Sequence, residues 1–179
     1  MGGSISCESK LSEGTTFKVE LVREIVKEKP KGTAEQEIRT NMDCLKGKRV
    51  LMAEDNEINA LVAKQIMEKA GIIVETAFNG AVALQKFKNS EAGYYDLILM
   101  DVRMPVMDGL QTTAEIRKLK RIDAERIPII AMTADAFTED VAAALDVGMN
   151  GHIAKPIELE VLYKTLAKAF AERERDEQV

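Results

Sequence analysis

The chain of 179 residues has no tryptophan, one histidine, two cysteines and only 4% aromatic residues. Each scarcity excludes something. With so few rings, a core must be built from aliphatic side chains, and the 46% apolar content suffices for one. The lone histidine, His152, and two cysteines without CxxC spacing, Cys7 and Cys44, leave out most zinc sites. The cysteines read as reduced thiols of a cytosolic protein. No apolar run approaches the length of a membrane span, and the opening "MGGSIS" lacks the basic and apolar regions of a secretory leader. A soluble, cytoplasmic piece is expected, whose parent protein need not be soluble. The net charge of −5 argues against non-specific nucleic-acid binding.

What the chain does contain, from about residue 48 onward, is an alternation of strand and helix signals. Short apolar runs at 49–54, 72–77, 95–101, 127–133 and 151–155 predict five strands, each covered on both faces. Between them lie helical spacings. Ile58, Leu61, Val62 and Ile66 mark a first helix, stopped by Gly71. Val82, Leu84 and Phe87 mark a second, started at Asn79-Gly80. Leu110, Ala114 and Ile116 mark a third, with Asp108 as its N-cap. A fourth runs from Thr138 to Val147, and Leu159, Leu162, Leu166 and Phe170 stripe a fifth. Strands and helices in strict alternation predict an α/β fold, a doubly wound parallel sheet. Sites in such sheets lie at the carboxyl ends of the strands.

The first 47 residues differ. Residues 1–22 contain two alternating stretches, "GGSISCES" and "GTTFKVELV", and read as a β-hairpin with little core of its own and with Phe17, Val19 and Leu21 exposed. Such a hairpin is expected to seek a partner, on another chain or on the rest of this one. Residues 23–47 are polar, contain Pro30 and Gly32, and read as a linker. Thr33 and Gln36 would form a capping box if part of it is helical. The expected organisation is 1–22 hairpin, 23–47 linker, 48–172 main domain and 173–179 charged tail.

The strand ends hold a constellation. The first ends in Glu54-Asp55, the third in Asp101, the fourth in Thr133 and the fifth in Lys155, followed by Pro156. Singly, each has an ordinary explanation: Asp101 a turn former, Glu54-Asp55 a helix cap, Thr133 a cap or turn residue, Lys155 a solvated cation. Together they place three carboxylates, a hydroxyl and an ammonium around one basin. Close carboxylates repel, and a hard divalent cation such as Mg2+ relieves this, with Asp55 and Asp101 as direct ligands and Glu54 acting through water. A carboxylate is also a nucleophile toward phosphorus, and Lys155 and Thr133 would then meet the phosphoryl oxygens.

The motifs "VLMAEDNEIN", "DLILMDVRMPVMDG", "IIAMTADA" and "GHIAKPI" closely resemble the receiver domain of two-component response regulators. The resemblance covers about two thirds of the chain. It implies a flavodoxin-like fold with strand order 2-1-3-4-5. It implies phosphorylation of Asp101 by a phosphohistidine, borne by a kinase domain or a histidine phosphotransfer protein. It assigns Mg2+ to Asp55, Asp101 and the backbone carbonyl of Arg103, with Glu54 behind, and casts Thr133 and Lys155 as switch hydroxyl and phosphate-pairing lysine. His152 falls where the family has a rotating aromatic residue; an imidazole there would make its swing pH-sensitive. Phosphorylation would alter the face of the fourth helix, fifth strand and fifth helix.

"EDNEIN" and "NGHIAKPI" look like receivers of hybrid sensor kinases, and "MGGSISCESKLSEGTTFKVEL" resembles the closing strands of a histidine-kinase ATPase domain. That domain's nucleotide-binding boxes are missing here, so no ATP binding is expected of this piece. Self-association through the hairpin or the switch face is a candidate arrangement. Arg103 and Asp135 are expected to pair across the pocket entrance and tune the phosphoryl lifetime.

Rival readings are weaker. A haloacid-dehalogenase-type phosphatase would carry its nucleophile on the first strand and an aspartate two residues on, where Arg103 follows Asp101. A flavodoxin needs a phosphate-cradling first loop, and "EDNEINA" would repel phosphate. A pseudo-receiver that only binds partners is the third alternative.

Overall fold

In a computed structural model, the described residues are 3–10, 14–21, 44–134 and 139–176. The chain divides into two units, Met1–Thr33 and Ala34–Val179. The first holds an antiparallel hairpin of β1 (Gly3–Lys10) and β2 (Gly14–Leu21), paired from Gly3↔Leu21 to Lys10↔Gly14. Ile5 faces Val19 and Cys7 faces Phe17 across the pair, so one face is apolar, and Ile5, Phe17 and Val19 are exposed.

In the second unit the elements run β3 (Arg49–Ala53), α1 (Glu57–Lys69), β4 (Ile73–Ala77), α2 (Gly80–Asn89), β5 (Leu97–Asp101), α3 (Gly109–Arg117), α4 (Ile122–Arg126), β6 (Ile129–Thr133), α5 (Glu139–Asp146), β7 (Gly151–Ala154) and α6 (Leu159–Asp176). The five strands β3–β7 form one parallel sheet in the order β4-β3-β5-β6-β7, which is the expected 2-1-3-4-5 order. Side-chain alternation splits the core in two. Val50, Met52, Leu97, Leu99, Ile130 and Met132 face α1 and α6; Leu51, Ala53, Ile98, Met100, Ile129 and Ala131 face α2 to α5.

Helix starts follow local chemistry. Asn56 caps α1 by accepting from the Ile58 and Asn59 amides, Asn79 caps α2, and Asp108 caps α3. The helix α4 gave no clear signal in sequence, since five residues are too few to show a period. It is held by Arg121, whose guanidinium pairs with Asp123 at 2.7 Å and donates to the carbonyls of Phe87, Ser90 and Glu91.

Three expectations about packing and boundaries are adjusted. Of the first helix's stripe, Ile58, Leu61 and Val62 are 73%, 56% and 50% exposed, while Ala60, Ala63 and Met67 are buried. Small residues let the α1 backbone approach the sheet closely, which leaves the large aliphatics outside. Leu45, read as linker, is fully buried in the core, so the domain starts before residue 48. Helix α6 continues through Asp176 into the segment read as tail, because Arg173 donates to the Tyr95 carbonyl at 2.8 Å and pairs with Asp96. The proposed capping box at Thr33, the Thr138 cap, Asp135 and residues 177–179 lie outside the described residues.

Candidate functional site

Strand parity assembles the site. Glu54 continues the alternation of Val50 and Met52, Asp101 that of Leu97 and Leu99, and Lys155 that of Ile153, so all three project on the side facing α1 and α6. The outcome is direct contact. The Lys155 ammonium lies 2.6 Å from Glu54 Oε2 and 2.6 Å from Asp101 Oδ2. The Arg103 backbone N–H donates to Asp101 Oδ1 at 3.2 Å, and the Asn59 side-chain amide donates to Glu54 Oε1 at 3.2 Å. Asn59 was not singled out in the sequence; its place three residues past the Asn56 cap, on the helix turn that faces Glu54, was the available signal.

Glu54, Asp101 and Thr133 are 2%, 6% and 1% exposed, whereas Asp55 is open to solvent. One carboxylate oxygen from each of Glu54, Asp55 and Asp101 falls within 4.8 Å of the others. These hard oxygens, with one carboxylate reachable from water, could hold a metal ion. The capping alternative for Glu54-Asp55 does not hold, because Asn56 caps α1.

Burial pushes the Asp101 carboxyl above its ordinary range; the Lys155 bond and charge pull it back, and the charge of Glu54 pushes it up again. For Lys155, burial lowers the ammonium, but its hydrogen bonds to Asp101 and Glu54 outweigh that, and the net shift is upward. The lysine is thus held as a cation between two buried acids, where an ammonium meets the next oxygen to arrive at Asp101.

Thr133 ends β6 one position beyond Met132, the register partner of Asp101, and is buried. His152, second in β7 and paired in register with Ala131, is exposed. The Arg103 guanidinium makes bonds of 2.9 to 3.3 Å to both carboxylate oxygens of Asp140 on α5, while its expected partner Asp135 lies outside the described residues. The side chain of Asp140, at the start of that helix, is largely shielded and reaches back over the loop after β5.

The peptide after Asp101 is shaped for close approach. A β-carbon on Gly109 would collide with the Asp101 carbonyl oxygen, and one on Gly80 with Thr112 Oγ1 and the Met107 carbonyl oxygen. Val106 takes a φ of 71°, bridged by the Met107 N–H to the Pro105 carbonyl at 2.8 Å. This tight turn leaves Val106 exposed.

A doubly wound sheet carrying an acid cluster and a lysine at its carboxyl ends defines a class, and comparison with known proteins names it. Residues 50–167 match the family described as response regulator receiver domain, and the chain belongs to that family, as the receiver of a two-component phosphorelay. It is 32% identical over 179 residues to the aerobic respiration control sensor protein ArcB of Escherichia coli, covering 99% of this chain and 22% of that protein. The receiver domain of sensor histidine kinase PA1611 from Pseudomonas aeruginosa PAO1, solved with magnesium coordinated in its active-site cleft, matches with a TM-score of 0.64 and 35% identity. That match covers 70% of this chain and 98% of that one. The Saccharomyces cerevisiae complex of the histidine phosphotransfer protein Ypd1 with the receiver domain of Ssk1 contains a match at TM-score 0.63 and 30% identity, over 69% of this chain and 89% of that one. The chain spans only 3% to 8% of the Dictyostelium discoideum hybrid kinases it matches. Among the described residues no helix is long and apolar enough to cross a membrane.

Proposed function

We propose that Asp101 is the phosphoacceptor of a hybrid histidine kinase's receiver, taking its phosphoryl group from a phosphohistidine on a kinase domain or a histidine phosphotransfer protein in the cytoplasm. The observation that carries this is the Lys155 ammonium bridging Glu54 and Asp101, each at 2.6 Å. An Asp101 oxygen attacks phosphorus, the P–N bond breaks, and the imidazole leaves with its electron pair. Lys155 is placed to pair with a phosphoryl oxygen, and the Thr133 hydroxyl to donate to another as the switch residue. Glu54, Asp55, Asp101 and the Arg103 carbonyl would hold Mg2+. When bound, that ion offsets the charge that builds on the transferred oxygens. Burial keeps Asp101 basic, which favours attack on phosphorus.

Val62 lines a groove with Asn59, Lys155 and Ile157, and Ile58 and Leu61 are exposed on the same helix. An apolar rim around a charged pocket suits a protein donor rather than a small ester. The similarity to ArcB over the whole length, hairpin included, supports placing β1 and β2 at the end of a kinase ATPase domain in the parent chain. The switched output would pass through α5, β7 and α6, with His152 turning inward when Thr133 moves.

The test is incubation with Mg2+ and acetyl phosphate, followed by intact mass and site mapping. Wild type gains one phosphoryl group, on Asp101, and Asp101→Asn gains none. Labelling at another residue, or steady turnover of small phosphate esters, would favour the phosphatase reading instead.

A further inference from the structure

The loop after β5 and the first turn of α5 are joined by an ion pair that the transfer to Asp101 does not use. The Arg103 guanidinium meets both carboxylate oxygens of Asp140, through Nε at 3.2 Å and Nη2 at 2.9 and 3.3 Å. The arginine side chain is 79% exposed and the aspartate 24%. The pair borders a recess of about 540 Å³, lined also by Asp55, Pro105, Asp108 and Leu110. Asp55 belongs as well to the acid cluster around Asp101, so the recess borders the phosphoryl site.

Charge in the recess is lopsided. Asp55, Asp108 and Asp140 line it against a single cation among the described residues, Arg103. Asp108 accepts from the Gln111 amide at 2.7 Å. With its guanidinium on Asp140, Arg103 offers little net positive charge to an anion arriving from water. An ion pair so open on the arginine's side contributes little stability, so the guanidinium can change partners at small cost. Its stem leaves the backbone two residues past Asp101, where the Arg103 N–H already donates to Asp101 Oδ1 at 3.2 Å. The planar fork of an arginine suits a phosphoryl group as well as a carboxylate.

We propose that Asp140 is a positioning residue that holds the Arg103 guanidinium off incoming phosphodonors and so slows labelling of Asp101 by small free anions. Its role is played at the phosphoryl site already proposed, and so rests on Asp101 as phosphoacceptor. A small donor reaches the recess with little but its charge, and there it meets uncancelled carboxylates. A protein donor adds contact area that a small anion lacks, so the same repulsion weighs less on it. Without the Asp140 charge, the guanidinium is free to fork onto the donor's phosphoryl oxygens while an Asp101 oxygen attacks phosphorus. With acetyl phosphate the P–O bond to the acetyl group then breaks, and acetate leaves with the electron pair.

The full 179-residue chain is incubated with Mg2+, saturating for each variant, and increasing acetyl phosphate, and labelling of Asp101 is followed by intact mass and site mapping. Asp140→Asn should label about fivefold faster at low donor, the order expected when unit charges change several ångströms from a dianion in water. The gain should lie in the donor concentration for half-maximal rate and shrink at high salt. Adding Arg103→Met should remove most of it, and Asp140→Glu, which keeps the charge, should restore most of the restraint. Faster labelling is not the mark of a misfolded chain, and an Asp140 that served only to start α5 would not act through Arg103. A second readout needs no turnover: on titration with inorganic phosphate, the Arg103 Nε resonance should move in Asp140→Asn and stay in place in wild type. Equal labelling rates in wild type and Asp140→Asn, a gain undiminished by Arg103→Met, or a wild-type Arg103 resonance that moves as far would each overturn the proposal and leave Asp101 standing as phosphoacceptor. Labelling of no variant at Asp101 would end both.

Discussion

Gly109 stands where a β-carbon has no room, against the carbonyl of the phosphoacceptor residue itself. Gly109→Ala must push α3 or the end of β5 aside, and about 2 kcal/mol of stability should be lost in urea titrations. Asp101 would move with it, so labelling by acetyl phosphate should slow as well. Lys155 is held between two buried acids. Lys155→Met keeps the stem and removes the charge, leaving Glu54 and Asp101 to repel each other. Acetyl phosphate labelling should fall about a hundredfold, the scale of losing one charge-stabilising donor; a near-normal rate would remove Lys155 from the chemistry. The acid cluster and lysine were legible in sequence because each ends a strand. The partner of Arg103 was not. Its bonds to Asp140 depend on where α5 begins in space, and sequence distance does not report that.

At the scale of elements, two arginines stitch the α3–β6 region. Arg117 donates to the carbonyls of Gly148, Ala124 and Ile127 and to Asn150 Oδ1, all at 2.7 to 3.0 Å. These acceptors are the ends of α4 and α5, so one cation collects their unsatisfied carbonyls. Burial lowers its pKa. Arg117→Met should cost about 2 kcal/mol, because the part-buried carbonyls of Ala124 and Ile127 lose their donor together. The Arg121–Asp123 pair brings a pH dependence. Burial raises the Asp123 carboxyl, but Arg121 and the Gly93 N–H outweigh it, and its pKa is lowered. A carboxyl depressed by folding adds stability that is present above its unfolded pKa and lost as pH falls through the folded one. Thermal melts across the acid range should therefore show a gentler fall for Asp123→Asn than for wild type, from a lower starting point at neutral pH. Neither arginine was read from sequence, since each acts on backbone groups brought close only by the tertiary fold.

At the scale of the whole molecule, the acid cluster lies at the carboxyl ends of the strands, and α1, whose Val62 shares a groove with Lys155, exposes Ile58 and Leu61. Leu61→Glu should leave labelling by acetyl phosphate intact while impairing transfer from a phosphorylated histidine phosphotransfer protein. Equal loss with both donors would mean damage to the basin rather than to docking. Mg2+ should stabilise the chain by about 1.4 kcal/mol when it is tenfold above its Kd, and Asp55→Asn should abolish most of that shift in melting temperature.

The strand order was implied only by the resemblance to a family, while the sequence by itself determined the parallel sheet and the residues at its strand ends. Those follow from short-range facts: buried runs too short for helices, periodic stripes between them, and the rule that doubly wound sheets gather function at one edge. The packing face of α1, the inclusion of Leu45 in the core and the reach of α6 past residue 172 were decided only in three dimensions. Each depends on how near two elements can come and on which distant groups then meet. The same holds for the contact of Lys155 with Glu54, across about a hundred residues of chain, which rests on strand parity as well as order.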